Sequence, residues 1–417
     1  MSGDRKIVGF LFRRASVAAR RSRISLGALI AVVGVLAAEQ VVFAEEAWRV
    51  QAIPTPAAAH SSVPRVSQGL KGSVLLSWME PSSNGLAFRY AVWRAGKWAE
   101  AQTIAAGPQL LAAVSSEPGV LELVDGVLVA EWLIKSAKEE TNEIVVAVSR
   151  DRGKTWSKPV VPYRDATAGE HMYVSLFSWP QGGAGVVWLD PRRKKTSSLV
   201  QTTIDEWGKL GPETVIADDV CECCPTSSAG TKKGPVVMYR NRTEENVRDM
   251  YVSAFSDGRM QAGRPVHADG WRIDGCPTNS GSLAAVGEGV AAIWFTGADR
   301  NPRINLAFSQ GESFRKPVVI DGAKPIGRAA VAALADGSAM VTWLGHNERG
   351  IVLRARQAWP DGRVGKPLDV VTASPNGKLG FPFVATVPGG VMSVWTDWEG
   401  ERAREVRAAL ITREAGR

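Results

Sequence analysis

Residues 126–132 read Gly-Val-Leu-Val-Ala-Glu-Trp, a short apolar run that follows a glycine and ends in an aromatic side chain. Similar runs occur seven times, at spacings of about 50 residues, and both faces of each run are apolar. This pattern predicts strands buried between neighbouring sheets. The closing aromatic residues are Trp78, Trp132, Trp188, Tyr239, Trp294, Trp343 and Trp395. The glycines five or six positions before them are Gly72, Gly126, Gly182, Gly234, Gly289, Gly337 and Gly390.

Each repeat also contains three further segments that read as strands, with residues 158–163 as an example of the last one. Four strands in about 50 residues match one blade of a β-propeller. The sequence therefore predicts an all-β propeller of seven four-stranded antiparallel blades, with six blades as the alternative. The last repeat supplies three strands before the chain ends, whereas residues 47–54 form a strand outside the repeats. We expect this N-terminal strand to complete the last blade and close the ring.

The composition agrees with a folded chain and excludes several classes. Of 417 residues, 45% are apolar and 22% are charged. The apolar share is too high for a disordered chain, the glycine content is too low for collagen, and four cysteines are too few for a small disulfide scaffold. No low-complexity linker divides the repeats. We therefore expect residues 45–417 to form a single propeller domain.

Residues 1–44 are predicted to be an export signal and not part of the fold. Seven cations precede an apolar run at residues 24–38, and Val42-Phe43-Ala44 provides a small-residue cleavage pattern. The alternative is an uncleaved anchor, but the 15-residue run is shorter than the roughly 20 residues that span a bilayer. We expect an exported protein, periplasmic or secreted, with no membrane contact after cleavage.

Removal of this segment changes the charge of the chain. The segment holds seven cations and two anions, so the net charge falls from +8 to +3. A nearly balanced charge gives no general attraction for nucleic acid. Any site for an anion must therefore be local.

The turn at residues 149–156 has the form S-x-D-x-G-x-T-W, through Ser149, Asp151, Gly153, Thr155 and Trp156. It resembles the Asp-box, the bacterial-neuraminidase repeat of the sialidase superfamily. The short polar side chains of such a turn can bind its backbone N–H groups, and the glycine accepts a positive φ. The resemblance implies a structural role for these five residues and an exo-alpha-sialidase-like propeller.

The catalytic pattern that the resemblance implies is incomplete. Sialidases hold the substrate carboxylate with three arginines and use a Tyr–Glu pair as nucleophile, with an Asp as acid or base. The tyrosine lies late in those chains, but here none follows Tyr251. Sialidase domains are six-bladed and open with Arg-Ile-Pro, whereas this chain has seven repeats and reads Val-Pro-Arg-Val at 63–66. The catalytic residues therefore stay unassigned.

The polar residues gather where blades start and in the loops that follow the buried strands, so one face of the ring is expected to hold the function. Several arginines between residues 240 and 249 could each bind a carboxylate or sulfate through two parallel hydrogen bonds, or could pair with neighbouring acidic residues. The candidate ligand-binding residues are Arg65, His171, Asp190, Arg192, Arg240, Arg242, Arg248, Asp249 and Arg300.

All four cysteines fall on that face. Cys221, Cys223 and Cys224 start the fourth repeat and Cys276 starts the fifth. The phrase Cys-Pro-Thr begins at both Cys224 and Cys276, so these residues are expected to lie side by side. An even count in an exported chain favours disulfides, of which three connectivities are possible. A thiolate site for zinc or copper and a set of reactive thiols are the alternatives.

Three hypotheses of function follow. The first is an exported propeller that binds an anionic glycan or a similar acidic small ligand on its arginine-rich face and requires no cofactor. The second is a glycoside hydrolase of sialidase type with a non-standard catalytic set. The third is a cysteine-dependent metal or thiol protein.

Overall fold

The computed structural model describes residues 47–136, 141–164, 170–192 and 196–414. The predicted export signal lies outside these ranges. Apart from two short 3-10 turns at Leu70–Gly72 and Ala298–Arg300, the regular structure of the described residues is β. The strands are β1 (Trp48–Ile53), β2 (Ser62–Gln68), β3 (Val74–Ser82), β4 (Gly85–Arg94), β5 (Lys97–Trp98), β6 (Gln102–Gly107), β7 (Gly119–Glu122), β8 (Leu128–Lys135), β9 (Asn142–Ser149), β10 (Met172–Ser178), β11 (Ala184–Asp190), β12 (Ser197–Ile204), β13 (Thr214–Val220), β14 (Ser227–Thr231), β15 (Gly234–Arg240), β16 (Met250–Ser256), β17 (Arg259–Met260), β18 (Arg264–Pro265), β19 (Gly281–Val286), β20 (Gly289–Thr296), β21 (Arg303–Gln310), β22 (Ser313–Phe314), β23 (Val318–Asp321), β24 (Gly327–Ala333), β25 (Ala339–Asn347), β26 (Gly350–Ala358), β27 (Leu368–Thr372), β28 (Gly377–Leu379), β29 (Phe383–Val387), β30 (Gly390–Glu399) and β31 (Arg402–Arg413).

These strands form seven small antiparallel sheets. Numbered from the N-terminus, the blades begin with the strands β2, β7, β10, β14, β19, β24 and β29, which are the innermost strands of their sheets. Each inner strand contacts the inner strands of both neighbouring blades, and β29 contacts β2. The contacts therefore run once around an axis, which confirms the predicted seven-bladed propeller and excludes the six-bladed alternative.

The first strand of the described chain closes this ring. β1 lies antiparallel to β31, from Trp48 opposite Arg413 to Ile53 opposite Ala408, and it is the outermost strand of blade 7. The last blade is thus built from both ends of the chain, as the unpaired N-terminal strand predicts.

The seven repeated apolar runs are the second strands of the blades, and their aromatic residues are deeply buried. None of these seven side chains is more than 3% exposed. Four of the tryptophans donate their indole N–H to a carboxylate: Trp78 to Glu80, Trp188 to Asp190, Trp294 to Asp269 and Trp343 to Asp321. Because an unpaired buried indole N–H costs free energy, these carboxylates have a structural role.

Blade 2 departs from the prediction of four strands. Its sheet contains β7, β8 and β9, and the segment 158–163 contributes a single bridge between Val160 and Val146. Pro159 and Pro162 flank that bridge. Since proline has no N–H to donate to a ladder, the fourth strand is reduced to one residue pair. No helix among the described residues has the length and apolarity needed to cross a membrane.

Candidate functional site on the propeller axis

The inner strands surround a cavity on the axis, at the face where those strands begin. This cavity has a volume of about 140 Å³, and a second one of about 400 Å³ shares part of its lining and extends along the inner strands. Serine and threonine side chains line much of the first cavity. Its charged and aromatic lining residues are Arg65, Glu117, Tyr173, Arg328, Phe381 and Phe383. We call this cavity the axial pocket.

Irregular backbone at the start of the inner strands shapes the pocket wall. Tyr173 and Arg328 have φ values of 63° and 56°, in the left-handed region that residues other than glycine rarely occupy. Each lies where the pairing of its inner strand shifts register, between Met172 and Ser175 in β10 and between Gly327 and Ala330 in β24. A bulge of this kind re-aims a side chain, and here it places both residues on the pocket wall.

Arg65 is held on the first blade by groups of the next two blades. Its Nη1 lies 3.2 Å from Glu131 Oε1 and 3.1 Å from the carbonyl oxygen of Val174. Burial raises the pKa of Glu131 to about 8. The positive charge of Arg65 opposes this rise, and the charge of Glu117 adds to it. The side chain of Arg65 is one-fifth exposed and lines the pocket.

Glu117 is a buried carboxyl group on the same wall. Its side chain accepts a hydrogen bond of 3.0 Å from the backbone N–H of Ser115. Burial raises the pKa of Glu117 to about 7, while backbone hydrogen bonds and the charges of Arg65 and Arg328 oppose that rise. At neutral pH this group is therefore divided between its acid form and its carboxylate.

Arg328 faces Glu117 from the sixth blade. Its guanidinium lies 3.8 Å from the ring centre of Phe381, and Arg65 lies 5.8 Å from the ring centre of Phe383. Nη1 of Arg328 is buried and makes no hydrogen bond within the described protein. Burial lowers the pKa of Arg328, against the attraction of Glu117. The pocket thus contains a desolvated cation with an unused donor.

Tyr173 completes the group. Burial raises its pKa to about 12, and electrostatic interactions with Cys224 and Glu170 contribute. Its backbone N–H is bound by the Ser116 hydroxyl, and its carbonyl oxygen accepts a hydrogen bond from Thr226. The phenol is therefore neutral at pH 7.

The cysteines lie beside this pocket, because Cys224 directly precedes Pro225 and Thr226 of its wall. Cys223 and Cys276 form a disulfide between the starts of blades 4 and 5, and Cys221 and Cys224 are buried free thiols. The predicted neighbourhood of the two repeats is correct, and Cys223 is the residue that pairs with Cys276. The hydrogen bond between Cys221 and Cys224 lowers the pKa of Cys221, with a further contribution from Arg248, whereas burial raises the pKa of Cys224.

The arginines of the fourth repeat do not converge on the pocket. Arg240 is buried and donates to the carbonyl oxygens of Arg248, Asn279 and Phe295. Arg248 is buried and donates to Cys221 Sγ at 3.1 Å. Arg242 pairs with Glu222 at 3.3 Å and binds Asn246. These side chains tie blades 4 and 5 and the cysteine loop together. Glu222 is the acidic partner found here, for Arg242 and Arg248, whereas Arg240 binds carbonyl oxygens.

The other candidates are spread over the same face. Asp190 is fully buried, where it accepts hydrogen bonds from Trp188 and Arg192, and Arg192 also binds Glu213 at 2.7 Å. The buried ring of His171 stacks on Tyr163 with centres 3.9 Å apart.

Asp249 and Arg300 also lie outside the pocket lining. Asp249 accepts hydrogen bonds from the backbone N–H groups of Gly270 and Trp271. Arg300 is exposed. Of the nine sequence candidates, Arg65 alone lines the axial pocket.

Glu117, Tyr173 and Arg328 were missed by the sequence analysis. The sequence signal that could have identified them is their position along the repeats. All three lie within a few residues of the start of an inner strand, as does Arg65 in the sequence Val-Pro-Arg-Val. Their position at the blade starts is the feature that they share, whereas the dense charge of the sequence lies at residues 240–249.

The turn at residues 149–156 makes the contacts expected from its side chains. Asp151 accepts hydrogen bonds from the backbone N–H and the hydroxyl of Thr155, and Ser149 accepts one from the backbone N–H of Gly153. These bonds from Thr155 hold the pKa of Asp151 at about 2. The ring of Trp156 packs edge-on against Tyr90 of blade 1. The turn thus joins two blades, and its assignment as an Asp-box stays a prediction.

Comparison with solved structures identifies other proteins of this fold. The chain is similar to the BP39L lectin of Burkholderia pseudomallei, with 12% identity over 85% of this chain and 97% of the lectin and a TM-score of 0.59. It is similar to an ulvan lyase, described as a polysaccharide lyase, with 11% identity over 87% and 96% of the two chains and a TM-score of 0.56. The leech intramolecular trans-sialidase matches with 11% identity over 84% of this chain and 67% of that chain, at a TM-score of 0.45.

The lectin and the ulvan lyase thus share the propeller fold with this chain. No protein-family model matches the chain, and no curated protein matches it. Identities of 11–12% to the lectin and the lyase establish a shared architecture. Because unrelated functions share such folds, the ligand has to be argued from the site.

Proposed function

We propose that the protein binds an acidic sugar in the axial pocket, with Arg65 and Arg328 recognising its carboxylate. The observation that carries this proposal is the buried Nη1 of Arg328, which lacks a hydrogen-bond partner. A carboxylate oxygen would satisfy that donor with a charge-assisted bond, and the planar guanidinium can bind such a group through two parallel hydrogen bonds.

The surroundings favour an anion held in a fixed position. Phe381 and Phe383 lie against the guanidinium groups of Arg328 and Arg65, which limits the rotation of these long side chains. A binding group that is already ordered loses less entropy when a ligand arrives.

The rest of the lining suits a sugar. Hydroxyl groups from several blades line the pocket, among them Ser115, Ser227, Ser280 and Ser282. Apolar walls with a few converging polar groups are the usual composition of a site for a small molecule. A carbohydrate ligand is also consistent with the similarity in fold to a lectin and to a polysaccharide lyase.

Calorimetric titration with a panel of monosaccharides tests the proposal. The panel contains a sialic acid, glucuronic and galacturonic acids, their methyl esters and the neutral hexoses. We expect at least one free acid to bind and its ester to bind more weakly. Arg328→Gln should weaken that acid by about 10- to 150-fold, because a hydrogen bond to a charged group contributes about 1.5–3 kcal/mol.

Arg300→Gln is the matched control, since it removes an exposed arginine outside the pocket lining and should leave the affinity unchanged. Equal affinities for acids and esters, or equal losses in the two variants, would contradict recognition of a carboxylate by Arg328.

A second function, glycoside hydrolysis, is favoured by one specific observation. Glu117 and Tyr173 line the same pocket as the two arginines, and the pKa of Glu117 is raised to about 7. A carboxyl group with a pKa near the working pH suits general acid–base catalysis, and some glycosidases use a tyrosine nucleophile. The resemblance to sialidases predicts such a tyrosine late in the chain, whereas Tyr173 lies in the third blade.

Release of a fluorescent phenol from glycosides of the acidic sugars that bind would measure this activity. We expect Glu117→Gln and Tyr173→Phe each to lower kcat by at least a hundredfold while leaving binding measurable. Binding of these sugars without release of phenol would contradict glycoside hydrolysis.

We also infer that the protein acts outside the cytoplasm, because residues 1–44 have the pattern of an export signal. N-terminal sequencing of the protein recovered from the cell envelope or medium should find Glu45 as the first residue. Recovery of the uncut chain in the cytoplasm would contradict this inference.

A further inference from the structure

We propose that Cys221, Cys223, Cys224 and Cys276 form, in the reduced protein, a thiolate site for one soft metal ion of the zinc(II) or copper(I) class. The sulfur atoms of Cys221, Cys223 and Cys224 lie within 4.8 Å of one another, and all three residues are buried. Cys276 is bonded to Cys223, so its sulfur reaches the same place from the neighbouring blade. Four sulfur donors thus meet beside the axial pocket.

The spacing of the sulfur atoms suits a tetrahedral centre. Cys221 Sγ lies 3.7 Å from the sulfurs of both Cys223 and Cys224. Four sulfurs at a zinc–sulfur distance of about 2.3 Å stand about 3.8 Å apart along each edge of the tetrahedron. Two of the required edges are therefore already present. Small adjustments of the Cys221–Cys224 loop, together with release of Cys276, would provide the others.

The chemistry of the donors limits the kind of metal. The cluster contains sulfur ligands only, and sulfur favours zinc and copper(I) over calcium and magnesium, which prefer oxygen. Four thiolates around zinc carry a net charge of −2. Arg248 donates to Cys221 Sγ at 3.1 Å, and Arg240 is a buried cation that acts on Cys224. The two guanidinium groups would neutralise the zinc form and leave the copper(I) form with a charge of −1.

The disulfide controls this site because it withholds two of the four ligands. A phosphine reductant and one water molecule convert the Cys223–Cys276 bond into two thiols and leave a phosphine oxide. The four thiols then bind one metal ion as thiolates and release four protons. Cys276 is exposed, which gives a reductant a path to the bond. Metal binding should therefore depend on reduction.

The test compares the oxidised and the phosphine-reduced forms of the wild-type protein, which requires no variant. Each form is titrated without oxygen with Zn²⁺ against a coloured chelator, with Cu⁺ against a copper(I) chelator and with Co²⁺ as a spectroscopic probe. We expect one Zn²⁺ or one Cu⁺ per reduced chain, and at least tenfold weaker binding by the oxidised chain. Cobalt should give the intense thiolate charge-transfer band and the visible bands of tetrahedral coordination.

Variants distinguish the four-cysteine centre from chance thiol binding. Cys276→Ser prevents the disulfide and should bind zinc at least tenfold more weakly than the reduced wild type. Asp274→Asn, an exposed position two residues before Cys276 and outside the lining of the axial pocket, is the control and should bind metal as the wild type does. Reduced wild-type protein that binds neither metal, or binds both as weakly as the oxidised form, would overturn the proposal. The sugar titrations stand apart, because the proposed carboxylate contacts involve none of these sulfurs.

Discussion

The stability of the protein should increase at alkaline pH when Glu117 is replaced by glutamine. Glu117 is 7% exposed, and burial is the main cause of its raised pKa. Glutamine has nearly the same shape, and its side-chain oxygen can still accept the hydrogen bond from the Ser115 N–H. The substitution removes the cost of a buried negative charge and keeps the packing. It therefore isolates the electrostatic part of the pocket.

The pH dependence follows from the two pKa values of Glu117, 4.5 as the ordinary value and about 7 in the folded protein. Between these values the folded state binds the proton more tightly than the unfolded state, so the free energy of unfolding falls as the pH rises. Below pH 4.5 there is no penalty, and above pH 7 the penalty is complete. A difference of about 2.5 pKa units corresponds to about 3 kcal/mol.

Urea unfolding of wild type and Glu117→Gln at pH 4.5, 6 and 8 would measure this effect. We expect equal stability at pH 4.5 and a variant more stable by up to about 3 kcal/mol at pH 8. Loss of the Glu117 charge also removes one cause of the raised pKa of Glu131, which acts in the same direction. Glu244→Gln, at an exposed position, is the control and should show no difference.

A variant that is equally stable at every pH, or that gains most at pH 4.5, would refute this reasoning. The first result would mean that Glu117 is solvated or already neutral. The second would reverse the sign of the linkage.

Two further predictions concern the scaffold. Deletion of residues 45–56 removes the outer partner of β31 and should abolish the single cooperative transition in calorimetry; an unchanged melting curve would contradict closure by this strand. Gly153→Ala should destabilise the protein more than Gly258→Ala does. Both glycines have a positive φ, but an added Cβ at position 153 would lie 1.7 Å from the Tyr90 hydroxyl, whereas position 258 is open. Gly258→Ala measures only the cost of placing alanine in the left-handed region, about 1–2 kcal/mol. Equal melting temperatures of the two variants would show that the clash with Tyr90 contributes nothing.

The architecture could be predicted from the sequence because the aromatic residues that recur along the chain are also the residues that pack inside the blades. Trp188 and its equivalents are regularly spaced, apolar and deeply buried, so their period predicts the number of blades directly. The fourth strand of blade 2 was overestimated, since Pro159 and Pro162 prevent a ladder that the apolar composition favours. Apolar composition alone does not show whether enough backbone N–H groups are present to form a ladder.

The site was harder to predict because its members come from different blades through irregular backbone. Arg328 stands alone among small residues, and only the bulge in β24 places it on the pocket wall. Arg240 shows the opposite case, because the sequence suggests a binding residue and the structure places it outside the pocket lining. It lies in a dense run of charge, but carbonyl oxygens of Asn279 and Phe295, provided by the next blade, bury it. Neither outcome is a property of the few residues around the arginine.

The pairing of β1 with β31 also has a consequence for the order of events during synthesis. Trp48 emerges from the ribosome among the first residues of the propeller, and its partner Arg413 emerges after almost all the others. Until then the growing chain is an open arc whose earliest strand has no sheet to join. Closure of the ring must therefore await the synthesis of β31, which leaves a chain that lacks this strand open at blade 7 and accessible to proteases.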